Sequence, residues 1–171
     1  MKHLSHDAKD EKPSGEFSLS SFSPRKILVA VDGSENSLRA SKVAIALAKD
    51  HQAELIVLNV IAPASIVAFP AVGADSYPGG LQSYYEEAGK NGASIVENVV
   101  ELAKEAKLIV SGVVERSPMS VVLSIVDKAS IEKVDLIVIG TRGLGGFKRL
   151  LLGSVSSGVT THAHCNVIVI R

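Results

Sequence analysis

A glycine-rich segment near the carboxyl terminus has the residue types and spacing of a binding site for an anion. Gly140 is followed after two residues by Gly143, and after nine more by Gly153 and Ser154. Glycines allow a phosphate to approach amide groups that a Cβ would block, and a helix amino terminus supplies free N–H groups. The segment holds further hydrogen-bond donors and cations: Arg142, Lys148, Arg149, Ser156 and Ser157.

The same glycines have a plainer interpretation, because glycine also ends strands and precedes helices. Two familiar phosphate motifs are excluded. The dinucleotide pattern G-x-G-x-x-G needs a third glycine where Lys148 stands, and Walker A needs Gly-Lys-Ser/Thr, but Phe147 separates Gly146 from Lys148. The choice between a phosphate loop and a simple connection therefore depends on the surrounding elements.

Asp32 and two histidines are further candidate ligands. Asp32 follows an apolar run, where it would reach a ligand at a strand end, although Asp-Gly-Ser is also an ordinary turn sequence. His162 and His164 suggest a metal, but residues two apart on a helix point to different faces, and no third ligand has suitable spacing. Histidines at a helix end that interact with the helix dipole are the favoured interpretation.

Candidate nucleophiles have weaker support. Cys165 beside His164 resembles an activated thiol, but a lone cysteine entering a strand is more typical of a small core residue. Ser34, Ser154 and Ser156 have no G-x-S-x-G setting, which favours capping or phosphate contact over catalysis.

The candidate residues lie within a sequence in which predicted strands alternate with predicted helices. Five β-branched apolar runs begin near residues 26, 53, 108, 135 and 166. Helical patterns separate them: one capped by Ser34 or Ser37 and ending near Asp50, one over 85–103, one with Ser117 as N-cap and Pro118 in its first turn, and one beginning near Ser154. Right-handed βαβ units predict one α/β domain: an open five-stranded parallel sheet with helices on both faces.

Ligands in such a sheet bind beyond the carboxyl ends of the strands, where the strand order reverses. The loops after Val31, Val60 and Ile139 are therefore the predicted location of a site. The glycine-rich segment follows the last of these positions, which favours the phosphate loop.

Composition narrows the class of protein. A chain of 171 residues suits one domain, and 46% apolar with 4% aromatic residues predicts a core of Val, Ile, Leu and Ala. Eighteen Lys plus Arg balance eighteen Asp plus Glu, so the chain has no net charge that would attract it to nucleic acid or to a membrane surface. The single cysteine, together with the lack of a signal-like or membrane-length apolar run, predicts a cytoplasmic protein.

Two stretches are predicted to lie outside the regular elements. Residues 1–24 mix charged residues with Ser, Gly and Pro, which predicts a flexible extension ahead of a domain over 25–171. Residues 62–80 carry three prolines and three glycines, which predicts a long loop that would act as a lid. Tyr84 and Tyr85 come next and would either close over a bound base or be buried at the start of a helix.

The ordered motifs resemble the universal stress protein family, in the branch with the ATP-binding motif G-x2-G-x9-G-S/T. The resemblance covers roughly Arg25 to Arg171 and rests on the segments "ILVAVDGSENS", "LIVLNV", "DLIVIGTRG" and "LLLGSVS" and on the closing strand. It implies a Rossmann-like domain related to the adenine-nucleotide alpha hydrolases, usually a homodimer. It also implies binding of ATP or a related adenine nucleotide, with Mg²⁺, by a sensor or regulator of the stress response.

The resemblance implies a site of twelve residues. Ala30, Val31 and Asp32 would flank the adenosine, Val60 would offer backbone bonds to the adenine edge, and Ile139 and Gly140 would lie near the ribose. The phosphates would be lined by Gly143, Gly153, Ser154, Val155 and Ser156, with Arg142 at a variable position of the motif. Asp32 would bind a ribose hydroxyl or help to hold a phosphate-bound metal.

Alternatives to a binding regulator remain open. The same site would serve a slow ATP hydrolase or phosphoryl-transfer enzyme, although no acidic residue is assigned as its base. A nucleotide-free interaction module is the third possibility, and residues 1–24 would bind an unknown protein partner independently. Asn166 stands where the family often has proline before its last strand. In many family members this strand helps to form the dimer, so the departure weakens what the resemblance implies about dimer geometry.

Overall fold

The computed structural model describes residues 22–63, 80–143 and 152–171. These contain five strands: β1 (Lys26–Ala30), β2 (Glu54–Ile61), β3 (Val110–Arg116), β4 (Leu136–Gly140) and β5 (Asn166–Ile170). The helices between them are α1 (Glu35–His51), α2 (Gly80–Glu105), α3 (Val121–Ile131) and α4 (Ser154–His162). The predicted extension over 1–24, except for residues 22–24, and most of the predicted lid lie outside the described residues, as do Lys148 and Arg149.

All five strands are parallel and lie in the order β3-β2-β1-β4-β5. The chain builds the sheet outwards from β1 through β2 to β3, then crosses back to place β4 on the other side of β1. The strand order therefore reverses between β1 and β4. The prediction of a single α/β domain with an open parallel sheet is confirmed.

Two apolar clusters cover the two faces of the sheet. On the first face, Ile27 and Val29 pack with residues of α1 and α2, including Ala44 and Val99. On the second face, Leu28 packs with residues of α3 and α4, such as Ile125 and Val159. Successive strand residues point to opposite faces, so burial on both sides accounts for the continuous apolar runs in the sequence.

The start of α3 differs from its prediction. The N-cap is Ser120, not Ser117, and the helix begins at Val121. The Ser117 N–H instead donates to the Ile61 carbonyl at 2.9 Å, which continues the pairing of β3 with β2. Strand pairing thus outweighs the local Ser-Pro signal. By contrast, the predicted cap of α1 is present, since the Ser34 hydroxyl accepts from the Ser37 N–H at 3.2 Å.

Candidate functional site

A cavity of about 580 Å³ lies at the carboxyl ends of β1, β2 and β4, against the first turns of α3 and α4. All twelve residues singled out from the sequence line it: Ala30, Val31, Asp32, Val60, Ile139, Gly140, Arg142, Gly143, Gly153, Ser154, Val155 and Ser156. The parallel sheet brings eight of them together because each lies at or just after the end of a strand at the same edge, and the other four, residues 153–156, begin α4. Their contact with a ligand stays a prediction.

Five lining residues were not predicted: Ser37, Leu58, Val121, Ile125 and Thr141. Val121 and Ile125 fit the apolar stripe of a helix, which is typical of ordinary core residues. Leu58 points to the same face as Val60, two positions along β2, and this period-two spacing was the available signal. Thr141 lies inside the glycine segment itself.

One half of the cavity is apolar. Ala30, Leu58 and Val60 belong to the cluster on the second face of the sheet, and Ile139 continues it at the end of β4. Ile125 of α3, 2% exposed, packs in the same cluster. This half has the shape of a slot between a sheet and a helix and offers no charged side chain.

The other half of the cavity is polar, and it begins at the turn after β1. The Ser34 N–H donates to Asp32 Oδ1 at 3.0 Å, and the Asp32 N–H donates to the Ser37 hydroxyl at 3.4 Å. The Ser34 hydroxyl donates to the Arg142 carbonyl at 3.3 Å. The turn after β1 and the segment after β4 are therefore joined directly, at the point where the strand order reverses.

Gly143 lies close to Asp32. A Cβ built on Gly143 would collide with Asp32 Oδ2. Glycine at this position therefore permits a close contact with Asp32 that any other residue would prevent. The close approach places a backbone segment and a carboxylate on the same side of the cavity.

Gly153 precedes α4 and is held by the segment after β4. Its N–H donates to the Thr141 carbonyl at 2.7 Å, and a Cβ on Gly153 would lie 3.0 Å from that same carbonyl oxygen. Gly153 is the N-cap and offers no side-chain cap, so the N–H groups of residues 154–156 in the first turn have no intrahelical acceptor. These amides face a cavity that lacks any described acidic side chain other than Asp32.

The Ser156 hydroxyl has a structural role. It is 2% exposed and lies 2.9 Å from the Thr141 carbonyl and 3.0 Å from the Gly153 carbonyl, to which it donates. Its single proton is therefore directed at the loop. Ser154 is exposed at the mouth of the cavity.

The candidate metal ligands His162 and His164 and the candidate thiol Cys165 do not line this cavity. Within the described ranges no group of three His, Cys, Asp or Glu side chains is arranged to hold a metal ion. Burial raises the pKa of the Cys165 thiol above its ordinary value, and Asp135 adds to the shift, although backbone hydrogen bonds oppose it. The protonated thiol at neutral pH is a poor nucleophile.

The two tyrosines at the start of α2 do not line the cavity. Their rings meet edge to face at 5.1 Å, and the Tyr84 hydroxyl donates to the Ala62 carbonyl at 3.0 Å. The Arg116 guanidinium lies 5.1 Å from the centre of the Tyr85 ring. This arrangement corresponds to the plainer interpretation, in which the aromatic rings are partly buried at a helix start.

A parallel sheet with a cavity at its carboxyl edge, half apolar and half lined by glycines and a helix amino terminus, defines the class of α/β ligand-binding domains. Comparison with known proteins specifies the family. The model of the universal stress protein family matches residues 24–171, and the chain therefore belongs to this family. In the described parts of the chain, no helix is both long and apolar enough to cross a membrane.

Relatives in this family align over most of the chain. Universal stress protein MJ0531 of Methanocaldococcus jannaschii is 35% identical over 86% of this chain and 82% of its own length. Universal stress protein YxiE of Bacillus subtilis is 35% identical over 85% of this chain and 98% of its own length. The solved structure of universal stress protein UspA from Lactobacillus plantarum is 27% identical, covers 85% of this chain and 97% of its own, and superimposes with a TM-score of 0.67.

Some structural neighbours were solved with an adenine nucleotide. A universal stress protein in complex with cAMP is 26% identical, with a TM-score of 0.63 over 88% of this chain and 99% of its own. Two others, with dAMP in a protein of Archaeoglobus fulgidus and AMP in one of Arabidopsis thaliana, are each 19% identical, with TM-scores of 0.63 and 0.59. At that identity these two support the shared fold alone.

Proposed function

We propose that this chain binds an adenine nucleotide, ATP foremost, in the cavity at the carboxyl edge of the sheet. The observation that carries the proposal is the division of one cavity of about 580 Å³ into an apolar slot and a polar half built from backbone amides and glycines. A nucleotide has the same division, with an apolar base at one end and phosphates at the other. The volume lies within the range of small-molecule sites, roughly 300–1,000 Å³.

The residues present fit such a ligand. In the proposed complex the base occupies the slot between Val60 and Ile125, and the phosphates lie near Gly143, Gly153 and the first turn of α4. Gly143 and Gly153 lack the Cβ that would displace Asp32 or crowd the Thr141 carbonyl at the rim of the cavity. The partial positive charge of a helix amino terminus favours anions there.

Asp32 is the proposed partner of a ribose hydroxyl or of a magnesium ion carried by the phosphates. Bound Mg²⁺ would neutralise phosphate charge next to this carboxylate. The backbone around Asp32 is fixed by the hydrogen bonds from Ser34 and to Ser37, so the carboxylate is held before the ligand arrives.

We further propose that the chain acts as a homodimeric, cytoplasmic regulator of a stress response. Support for a dimer comes from β5, an edge strand whose apolar residues 167–170 are only partly buried. An edge strand that leaves backbone groups without a strand partner and its apolar side chains partly uncovered is a ready surface for a second copy. Nucleotide state would be read out through that assembly.

The test is calorimetric titration of protein freed of nucleotide by unfolding and refolding, with Mg-ATP, Mg-ADP and AMP. Saturable binding of ATP is expected. Gly143→Asp, which sets a second carboxylate against Asp32 and in the path of the phosphates, should abolish it. Gly89→Asp is the matched control: it adds the same charge on α2, where a Cβ meets only Ile61 Cδ1, at 4.0 Å.

ATP affinity should stay unchanged in the Gly89→Asp control. Unchanged affinity in a folded Gly143→Asp protein would refute the phosphate site. A native chain that binds none of the nucleotides would refute the proposed function as a whole.

A further inference from the structure

A single polar residue interrupts the buried part of β2. Asn59 is 7% exposed and follows the continuous apolar run from Leu55 to Leu58. Its Nδ2 donates to the Val31 carbonyl at 2.7 Å. Buried amides are normally hydrogen-bonded, and this bond ends at a residue that lines the cavity. Asn59 itself does not line the cavity, so any effect it has on a ligand passes through the backbone around it.

The backbone groups of β2 alternate between its two neighbouring strands. The Glu54 N–H donates to the Arg25 carbonyl at 2.9 Å, on the side of β1. The Leu58 carbonyl accepts from the Val31 N–H at 2.8 Å, on the same side. Even-numbered residues of β2 therefore direct their backbone groups at β1, and the next even-numbered residue is Val60.

The pairing of β1 with β2 stops short of Val60. The register of the two strands ends at Ala30 and Leu58. One further parallel bond would join the Val60 N–H to the Val31 carbonyl, but the backbone hydrogen bonds between described residues do not include it. The Asn59 amide takes that carbonyl instead. The Val60 N–H is thus left at the strand end, beside the apolar slot that Val60 lines.

Helix α2 confines the Asn59 amide from the first face of the sheet. A Cβ built on Gly92 would collide with Asn59 Oδ1 and would lie 3.2 Å from Val114 Cγ1 of β3. The helix backbone therefore packs directly on the amide. This contact holds the amide between α2 and the sheet, with its N–H directed at Val31.

We propose that Asn59 is a positioning residue for the bound base: by occupying the Val31 carbonyl, it keeps the Val60 N–H free to donate to the ligand. The inference rests on the proposed function and names a side chain outside the cavity on which a base contact depends. Without the amide, the Val31 carbonyl would be a buried acceptor without a donor, which costs free energy. The next donor along the strand is the Val60 N–H, so the ladder would extend by one bond and the ligand would lose a donor.

The first test is amide hydrogen exchange, followed by NMR on nucleotide-free protein. In the native chain, the Val60 N–H should exchange faster than the Leu58 N–H, which lies within the ladder. Asn59→Val removes the donor and suits a strand, and it should slow exchange at Val60 by about tenfold or more. Asn59→Ala, a smaller side chain, carries the same expectation. A merely structural role predicts the opposite sign, because a loosened strand exchanges faster at both residues.

The second test is calorimetry of the same proteins with adenosine, AMP and Mg-ATP. Asn59→Val should weaken all three affinities by the same factor, about three- to tenfold, because the three ligands share the base. Val99→Ala is the matched control, since it truncates a fully buried residue of α2 on the same face and leaves the amide in place. It should lower the stability to urea but change neither the affinities nor the order of exchange at Val60 and Leu58.

The outcomes separate the two proposals. Exchange at Val60 as slow as at Leu58 in the ligand-free native chain overturns the role of Asn59, whether or not the variants fold. Unchanged affinities in Asn59→Val, or faster exchange at Val60, also overturn that role and leave the proposed function intact. No binding of any ligand by the native chain overturns the proposed function and the inference that rests on it.

Discussion

The two faces of the sheet are packed differently, and the cavity is the result. The first face is covered by helices of 17 and 26 residues, α1 and α2, and is filled as far as the carboxyl edge, where Gly92 of α2 lies against Asn59. The second face is covered by helices of 11 and 9 residues, α3 and α4, and remains open at that edge. The first face therefore serves stability, and the second divides its residues between packing and binding.

Glycine allows close approach on both sides of the sheet, but between different elements. On the first face, Gly92 and Gly112 are close-packed, the one against Asn59 and the other against Val96, so that helix and sheet touch. At the rim of the cavity, Gly143 lies against Asp32, and Gly153 is hydrogen-bonded to the Thr141 carbonyl. The same residue type thus joins helix to sheet on one face and joins the loops that border the cavity on the other.

Truncating one isoleucine on each face should give the largest contrast. Ile27→Ala creates a void in a filled core and should lower the free energy of unfolding by about 3–5 kcal/mol. Ile125→Ala enlarges an existing cavity, so its cost should be smaller, about 2 kcal/mol, but it should also weaken ATP binding. Urea denaturation and calorimetry of both variants provide the check.

Both isoleucines are at most 2% exposed, so burial alone predicts equal losses. Equal losses in stability would show that the second face is as tightly packed in solution as the first. A loss of ATP affinity in Ile27→Ala would place the site on the wrong side of the sheet.

Adding a side chain at the close-packed Gly92 should have the next largest effect on stability. Gly92→Ala brings a Cβ into collision with the Asn59 amide, whose Nδ2 donates to the Val31 carbonyl at 2.7 Å. Overpacking of this kind costs about 1–3 kcal/mol. Gly89→Ala, one turn earlier on α2, meets only Ile61 at 4.0 Å and should instead stabilise the protein, by up to about 1 kcal/mol.

Thermal or urea unfolding of the two alanine variants measures the difference. Opposite signs are expected. If both variants were stabilised, the contact between α2 and the sheet would have to yield without cost, and the first face would not be filled to its edge.

The fold and the strand-derived part of the site could be predicted because their signals are local. Alternating apolar runs specify a parallel sheet, whose carboxyl edge necessarily gathers Asp32, Val60 and Gly140. The glycine spacing specifies where the backbone approaches this edge. The sheet therefore gathers the eight predicted residues at strand ends, and the four at the start of α4 were named only through the resemblance to the universal stress protein family.

What the sequence did not reveal depends on pairing and packing between distant residues. Ser117 looked like a helix cap, but its N–H is taken by Ile61, a partner 56 positions away that no local pattern indicates. Val121 and Ile125 looked like core residues, since an apolar side chain has the same pattern whether it faces a core or a slot.

The smallest effect on stability is expected from Tyr84, which packs near the start of α2 on the first face of the sheet. Burial raises the pKa of Tyr84, with the neighbouring Tyr85 adding to the shift, and its hydroxyl donates to the Ala62 carbonyl. A raised pKa means that the folded state favours the neutral phenol. The stability from this group is therefore present below the ordinary tyrosine pKa of about 10 and is lost as the pH rises through the raised value.

Tyr84→Phe should lower stability slightly, by about 1 kcal/mol near neutral pH, because one partly exposed hydrogen bond is lost. The difference between native chain and variant should be constant from pH 7 to 9 and shrink above pH 10, as the native phenol ionises. Urea denaturation at these pH values measures it. A difference that grows above pH 10 would mean that the folded state favours the ionised phenol, and the start of α2 would then be open to water like the cavity on the other face.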